Sequence, residues 1–251
     1  MTVTGRLVDA SNVTLLGTVK AKGVELSCVY KPVRGERPLW EFPDGTLAGR
    51  EVASYLIARA AGWDCVPPTL LRDGRFGPGM VQAWVEDADS DLTADLLPDD
   101  AVPDHWFPVL HAVGQDDEPL VLAHGAQPAL AVLAGFDLVV NNADRKASHI
   151  LPTPDGRIRG VDHGVTLHTD DKLRTILWGW AGSALPDAVT AGLERLASAL
   201  SSAGSELSRQ IDDLVTVGER RALSDRVAHL LAEPVYPRPP EHRTPIPWPP
   251  L

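Results

Sequence analysis

The sequence contains only two cysteines in 251 residues, Cys28 and Cys65, and they lie far apart along the chain. There is no Cys-x-x-Cys spacing, so a zinc site built on cysteine pairs is excluded. A small scaffold held together by disulfides is excluded as well. We therefore expect two buried, reduced thiols in apolar surroundings.

An excess of basic residues is also lacking, because 23 Lys and Arg stand against 34 Asp and Glu, which gives a net charge of −11. Nucleic-acid backbones and anionic membrane surfaces are bound by clustered Lys and Arg. The charge therefore argues against nucleic acid as a partner and against docking on a membrane. A local basic patch is still compatible with this net charge.

Long hydrophobic runs are missing too. No stretch approaches the roughly 20 apolar residues that a membrane helix needs. The first residues, Met1–Arg6, lack the basic and apolar regions of a signal peptide. These absences predict a cytoplasmic protein without an integral membrane segment.

What is present is the composition of an ordinary globular protein, with 44% hydrophobic residues. The beginning of the chain indicates strands and one helix. Residues 14–32 show partial alternation around a turn and predict a β-hairpin. Residues 51–61 have apolar side chains at helical spacing and predict a helix that ends at Gly62. Residues 67–71 and 79–85 predict further strands.

The chain divides into four predicted parts. Residues 1–86 form a β-rich lobe. Residues 87–104 carry many acids and no Lys or Arg, which is typical of a solvated connection. Residues 105–233 contain apolar stripes at helical spacing and predict a helical lobe. Residues 234–251 are crowded with proline and predict an extended tail, which either packs across the domain or serves as a recognition ligand for another protein.

Two aspartates flank a short predicted hairpin. Asp144 lies in a polar segment after an apolar helix, and Asp162 follows the apolar strand 158–161. Phosphoryl transfer needs one carboxylate to orient the attacking hydroxyl and another to hold the metal that bridges the phosphates. The hairpin would bring both to one cleft, and Gly164 would let the chain turn away sharply.

This segment resembles the catalytic and metal-binding loops of phosphatidylinositol 3-/4-kinase-like proteins, which share a distant fold with protein kinases. The resemblance covers about Arg6 to Trp180. It implies an α+β, two-lobed protein-kinase-like fold with a β-rich N-lobe and a helical C-lobe. It also implies ATP in the cleft, with Mg²⁺ or Mn²⁺. Asp144 and Arg145 would open the catalytic loop, and Asp162 would bind the metal.

The same resemblance assigns residues that bind the nucleotide. Lys31 would hold the α- and β-phosphates, and Glu51 would pair with Lys31. The loop at Ser11 and Asn12 would meet phosphate oxygens through backbone N–H groups and a hydroxyl. Gln82 lies where the family contacts the adenine.

One position departs from the family pattern. An Asn follows the catalytic Asp by five positions in the family and supplies a second metal ligand, whereas this chain has His149. Mg²⁺ prefers oxygen ligands, and imidazole suits softer ions. Three interpretations stay open: His149 binds Mn²⁺, contacts phosphate as a donor, or indicates weakened catalysis.

The resemblance therefore implies an ATP-dependent transfer of phosphate to a hydroxyl of a protein, a small polar molecule or a lipid headgroup. A nucleotide-binding pseudokinase that regulates a partner protein is the alternative. A rival interpretation is a hydrolytic metal centre built from the acids and histidines of this region: Asp144, His149, Asp162, His163 and His168. That interpretation leaves Lys31 and Glu51 without a role.

Overall fold

The structure is a computed structural model that describes residues 1–7, 12–88, 93–114, 116–202 and 204–251. It has a β-rich lobe and a larger helical lobe, so the predicted two-lobed fold is confirmed. Where the lobes divide along the chain stays a prediction.

The first lobe is built on a five-stranded antiparallel sheet. Its strands are β1 (Thr2–Leu7), β2 (Thr14–Ala21), β3 (Val24–Pro32), β4 (Thr69–Gly74) and β5 (Gly77–Ala83), in the order β1-β2-β3-β5-β4. The predicted hairpin is β2–β3. Lys22 and Gly23, with φ of 50° and 81°, form its tight turn. The edge strand β1 was not predicted.

The helix of the first lobe, α1, spans Leu47–Ala61 and begins four residues earlier than predicted. Thr46 caps its first turn through its side-chain oxygen. The Glu36 carboxylate accepts hydrogen bonds from the N–H groups of Leu47 and Ala48 at 3.0 and 2.8 Å. Gly62, with φ of 72°, ends the helix as predicted.

A second, three-stranded sheet occupies the region that was predicted to be a connection and the start of a helical lobe. Its strands are β6 (Ala94–Pro98), β7 (Trp106–Val113) and β8 (Pro119–Gly125), in the order β6-β8-β7. The prediction of a connection without strands was wrong, because a high content of charged residues indicates exposure to solvent and does not determine the backbone conformation. An antiparallel strand with one solvated face carries acids as readily as a loop does.

The second lobe contains four helices and a small hairpin. The helices are α2 (Pro128–Val140), α3 (Asp187–Ser201), α4 (Glu206–Asp212) and α5 (Val217–Ala232); the hairpin strands are β9 (Ile150–Pro152) and β10 (Ile158–Gly160). The helical character of this lobe, the apolar helix before Asp144 and the hairpin were predicted. One large hydrophobic core joins these helices to Ile57 and Trp63 at the end of α1. The first-lobe helix is thereby packed into the second lobe.

The proline-rich tail contains neither a helix nor a strand and packs across the second lobe, as predicted. Tyr236 and Ile246 are buried, and the Pro245 carbonyl accepts hydrogen bonds from Thr175 N and Trp178 Nε1, both at 3.0 Å. Trp248 is 84% exposed.

Both cysteines, Cys28 and Cys65, are buried and unpaired in the described structure, which agrees with the prediction. None of the helices in the described part of the chain has the length and apolar character required to cross a bilayer.

Candidate active site between the lobes

Lys31 reaches the cleft because of the alternation of strand β3. Cys28 and Tyr30 point to the buried face of the sheet, so Lys31 points to the other. Its Nζ donates to Glu51 Oε1 at 2.7 Å and to Asp162 Oδ1 at 2.8 Å. Burial lowers the pKa of Lys31, but the two carboxylates outweigh burial and raise it above its ordinary value.

Glu51 connects helix α1 to the loop that begins at Asp162. One carboxylate oxygen accepts from Lys31, and the other accepts from the backbone N–H of His163 at 2.9 Å. Burial raises the pKa of Glu51, and the charge of Lys31 opposes that shift. The strand lysine, the helix and the Asp162 loop are therefore held together through one carboxylate.

Asp144 lies in the loop that follows helix α2. Asn141 ends the helix with φ of 53°, and Asn142 Oδ1 accepts from Asp144 N at 3.0 Å. Burial raises the pKa of Asp144 to about 6, and the nearby charge of Asp162 adds to this, while Lys146 opposes it. Asp144 lines the same cleft as Lys31.

Asp162 itself makes the sharp turn that was expected at Gly164. Its φ of 60° lies in the left-handed region, which costs a non-glycine residue about 1 kcal/mol or more. At Gly164 the observation is a close approach, since a Cβ there would lie 3.3 Å from Leu47 Cβ, which is tighter than most Cβ contacts. The ammonium of Lys31 lowers the pKa of Asp162 well below its usual range. Its side chain remains 49% exposed to the cleft.

His149 stands between the two aspartates. Its Nδ1 lies 2.8 Å from the Asp144 carbonyl, which can only accept, so Nδ1 carries the proton. Its Nε2 then presents a lone pair to Asp162 Oδ2 at 3.6 Å. Burial lowers the pKa of His149 to about 4. Two electron-rich atoms that face each other suit a cation or a donor between them.

Arg145, predicted as a catalytic residue, does not reach the cleft. It is fully buried and forms a bidentate ion pair with Asp137 of α2, with both contacts at 2.9 Å. It also donates to the carbonyls of His149 and Val161 and contacts His163 Nε2. The prediction is corrected: Arg145 positions the loops that hold Asp144 and Asp162.

Only some of the predicted nucleotide-binding residues line the cleft. Asn12 lines the cleft, and its Oδ1 accepts from Arg37 N at 2.9 Å. Gln82 does not line the described cleft, because its side chain is buried and donates to Thr69 Oγ1 at 2.9 Å. Ser11 lies outside the described residues.

The cleft has a volume of about 440 Å³ and includes residues that were not anticipated. Arg37 and Trp40 come from the irregular segment after β3, and Arg174 comes from the segment after Asp162. Trp40 is 87% exposed. The proline- and glycine-rich composition of residues 32–49 indicated only a break, so nothing in it pointed to the cleft.

No group of three or more His, Cys, Asp or Glu side chains within the described ranges is arranged to hold a metal by itself. The Asp162 and Asp144 carboxylates line the cleft, and His149, which does not itself line it, places Nε2 3.6 Å from Asp162 Oδ2. This set fits an ion such as Mg²⁺, which is bound through one or two carboxylates together with substrate phosphates.

The fold is protein-kinase-like. The Golgi casein kinase superposes on the chain with a TM-score of 0.52 at 12% sequence identity, and the match covers 95% of this chain and 76% of that one. The Helicobacter pylori proinflammatory kinase CtkA matches at 12% identity over 92% of this chain and 90% of its own, with a TM-score of 0.39 that is too low to support an argument.

Among curated proteins, Protein Rv2133c of Mycobacterium tuberculosis (strain ATCC 25618 / H37Rv) is 45% identical over 258 residues. The match covers 99% of this chain and 91% of the relative. The chain therefore belongs to the family of Protein Rv2133c. No family model matches the chain.

Proposed function

We propose that the protein is an ATP-dependent phosphotransferase, similar to phosphatidylinositol 3-/4-kinase-like proteins, that transfers the γ-phosphoryl group to a hydroxyl. One observation carries the proposal. Lys31 Nζ lies 2.7 Å from Glu51 and 2.8 Å from Asp162, in the cleft that Asp144 also lines. A strand lysine, a helix glutamate and two loop aspartates are the parts that phosphoryl transfer uses.

In this proposal Lys31 and the loop at Asn12 contact the phosphates of ATP. Asp162, with His149 Nε2 beside it, holds Mg²⁺ or Mn²⁺. The cation would neutralise charge on the nucleotide phosphates when bound. The ion pair with Lys31 keeps Asp162 ionised at neutral pH, which is the state that a metal ligand needs.

Asp144 orients the acceptor hydroxyl and takes its proton. The hydroxyl oxygen forms a bond to the γ-phosphorus, the bond to the β,γ-bridging oxygen breaks, and ADP leaves. The proton moves to the Asp144 carboxylate. Its pKa of about 6 suits this exchange, because a general base works best with a pKa near the working pH.

The acceptor is a protein, a small polar molecule or a lipid headgroup. The net charge of −11 favours the first two, since an anionic membrane would repel the chain. Arg37, Arg174 and the exposed Trp40 surround the cleft and are the side chains available to contact the acceptor.

A nucleotide-binding pseudokinase that regulates a partner is the second candidate, and His149 is the observation that favours it. An imidazole there replaces the oxygen ligand that the resemblance leads us to expect. The two lobes, the lysine and the metal-binding aspartate would then serve binding without turnover.

Phosphate transfer by the parent protein separates the two candidates, and Asp144→Asn tests the role of Asp144. In the phosphotransferase, this variant should lose at least about 10²-fold in the rate of phosphate transfer from radiolabelled ATP, because the proton acceptor is gone. Its ATP-dependent rise in melting temperature should persist. The exposed Asp99→Asn is the matched control and should transfer at the parental rate. An active Asp144→Asn variant contradicts the role of Asp144, and a parent that binds ATP without any transfer favours the pseudokinase.

A further inference from the structure

A second cavity, of about 490 Å³, lies apart from the residues that line the active cleft. It is formed by helix α5, by the segment 169–173 and by the tail at residues 237–243. None of the residues assigned to phosphate transfer lines it. The cavity is therefore a separate feature of the second lobe.

Two arginines in this cavity each keep one nitrogen without a partner. Arg226 donates from Nε to the Val139 carbonyl at 2.9 Å and from Nη1 to the His168 carbonyl at 3.1 Å. Arg243 donates from Nη1 to the Leu173 carbonyl at 2.5 Å. Arg226 Nη2 and Arg243 Nε are buried, and neither has a hydrogen-bond partner among the described residues.

Buried donors without partners are costly, and those on a charged group more so. Burial lowers the pKa of Arg226 to about 10, which still leaves the group charged at neutral pH. No carboxylate in the described structure lies within 4 Å of the Arg226 guanidinium. Its direct hydrogen bonds are to two backbone carbonyls, and the charges of Asp171, Asp225 and Glu219 act on it from farther away.

The acidic side chains of the cavity do not pair with Arg226. Asp171 accepts from Arg243 Nη2 at 2.7 Å, so it is already paired. Asp225 is largely exposed and lies 4.0 Å from Arg221 of the same helix. Arg238 also lines the cavity, so three arginines stand against two aspartates there.

Apolar side chains form the rest of the wall: Leu138, Leu173, Trp178, Leu230, Pro237 and Pro240. A ligand that satisfies both parts of the cavity carries an anionic group for the arginines and an apolar or aromatic body for this wall. Planar guanidinium groups bind phosphate and carboxylate oxygens in pairs.

We propose that this cavity is a binding site for a small organic anion, a phosphate or carboxylate on an apolar body, whose oxygens accept hydrogen bonds from Arg226 and Arg243. The same two arginines hold the carbonyls of His168 and Leu173, and the next residue, Arg174, lines the active cleft. A ligand at this site therefore contacts the segment that leads into the active cleft. The proposal does not rest on the phosphotransferase function.

The probe is phenyl phosphate, titrated into the full chain by isothermal titration calorimetry. We expect saturable binding with one site, and weaker binding of inorganic phosphate because it lacks the apolar body. Arg243→Gln should weaken the binding of phenyl phosphate by about tenfold or more, since one charge-assisted contact is lost. Ala222→Phe, at a half-buried position in the cavity wall, should block binding without removing any hydrogen bond.

Two control variants test whether phenyl phosphate binds in this cavity and not elsewhere on the chain. Arg221→Gln removes a charge from the exposed face of the same helix and should bind phenyl phosphate within about twofold of the parent. Lys31→Met disables the active cleft and should also leave phenyl phosphate binding intact. The proposal is overturned if the parent shows no saturable binding, if Arg243→Gln binds as the parent does, or if Lys31→Met abolishes binding. If inorganic phosphate binds as tightly as phenyl phosphate, the proposed ligand class is wrong.

Discussion

At the scale of single residues, His149 is the clearest departure from the phosphatidylinositol 3-/4-kinase-like pattern, which has an Asn at this position. The ring is mostly buried and neutral, its Nδ1 is fixed by the Asp144 carbonyl, and its Nε2 faces Asp162 at 3.6 Å. A neutral imidazole nitrogen is a softer ligand than an amide oxygen. If the protein is the proposed phosphotransferase, this residue should influence which cation supports transfer.

His149→Asn should shift the preference from Mn²⁺ toward Mg²⁺, because an amide oxygen is the harder ligand. We expect the ratio of transfer rates in Mg²⁺ and in Mn²⁺ to rise by roughly threefold or more. Initial rates with each cation as the sole divalent ion measure this ratio. The exposed His105→Asn serves as the control, and equal ratios in both variants would show that His149 does not contact the cation.

Sequence patterns identified residue types and spacing but not the direction of side chains. Lys31, Glu51 and Asp162 were predicted together, and they lie within hydrogen-bond distance. Arg145 was assigned to the cleft and is buried against Asp137. The sequence did contain a signal that Arg145 would be buried, namely Asp137 within the apolar run 129–140, because a buried carboxylate requires a partner.

At the scale of elements, helix α1 is anchored to the second lobe as well as to its own sheet. Arg50 is buried, forms an ion pair with Glu219 of α5, and donates to the Thr166 carbonyl at 2.6 Å. Ser54 Oγ lies 3.0 Å from Thr166 Oγ1. Glu51 is one residue from Arg50, so these contacts also fix the partner of Lys31.

Arg50→Met should lower the free energy of unfolding by about 3–5 kcal/mol, because it leaves the buried Glu219 carboxylate without its partner. Urea denaturation followed by circular dichroism measures the change. Arg59→Met, at an exposed position on the same helix, should change the free energy of unfolding by less than about 0.5 kcal/mol. Equal stabilities of the two variants would contradict the anchoring of α1.

Helices and hairpins could be predicted because their signals are local: apolar spacing, caps and turn residues. The pair Arg50–Glu219 joins residues 169 positions apart and left no local signal. The sheet β6-β8-β7 was missed for a related reason, since pairing across the chain decides whether an acidic, half-exposed segment becomes a strand.

At the scale of the whole molecule, the tail packs against the segments that follow Asp144 and Asp162. The Pro250 carbonyl accepts from Ala147 N at 2.9 Å, and Pro245 accepts from Thr175 and Trp178. Ala147 lies between Asp144 and His149. A segment without regular structure thus contacts the two stretches of chain that carry the site.

Removal of residues 244–251 should destabilise the protein by about 2–4 kcal/mol, from the lost burial of Ile246 and three lost hydrogen bonds. The midpoint of thermal unfolding measures the effect. Trp248→Ala, at an exposed tail position, is the control and should unfold at nearly the parental temperature. A truncated chain as stable as the parent would show that the tail contacts contribute nothing.

The central claim is that Lys31 and Asp162 bind ATP together with a divalent cation in one cleft. A calorimetric titration with a non-hydrolysable ATP analogue, with and without Mg²⁺, tests it most directly. We predict that the parent binds the analogue more tightly with Mg²⁺ than without it. Lys31→Met should lower the affinity by about tenfold or more, and the affinity of Asp162→Asn should not depend on Mg²⁺. Lys20→Met, which changes an exposed lysine of strand β2, is the control and should bind the analogue with nearly the parental affinity. Equal affinities in Lys31→Met and Lys20→Met, or a full response to Mg²⁺ in Asp162→Asn, would contradict it.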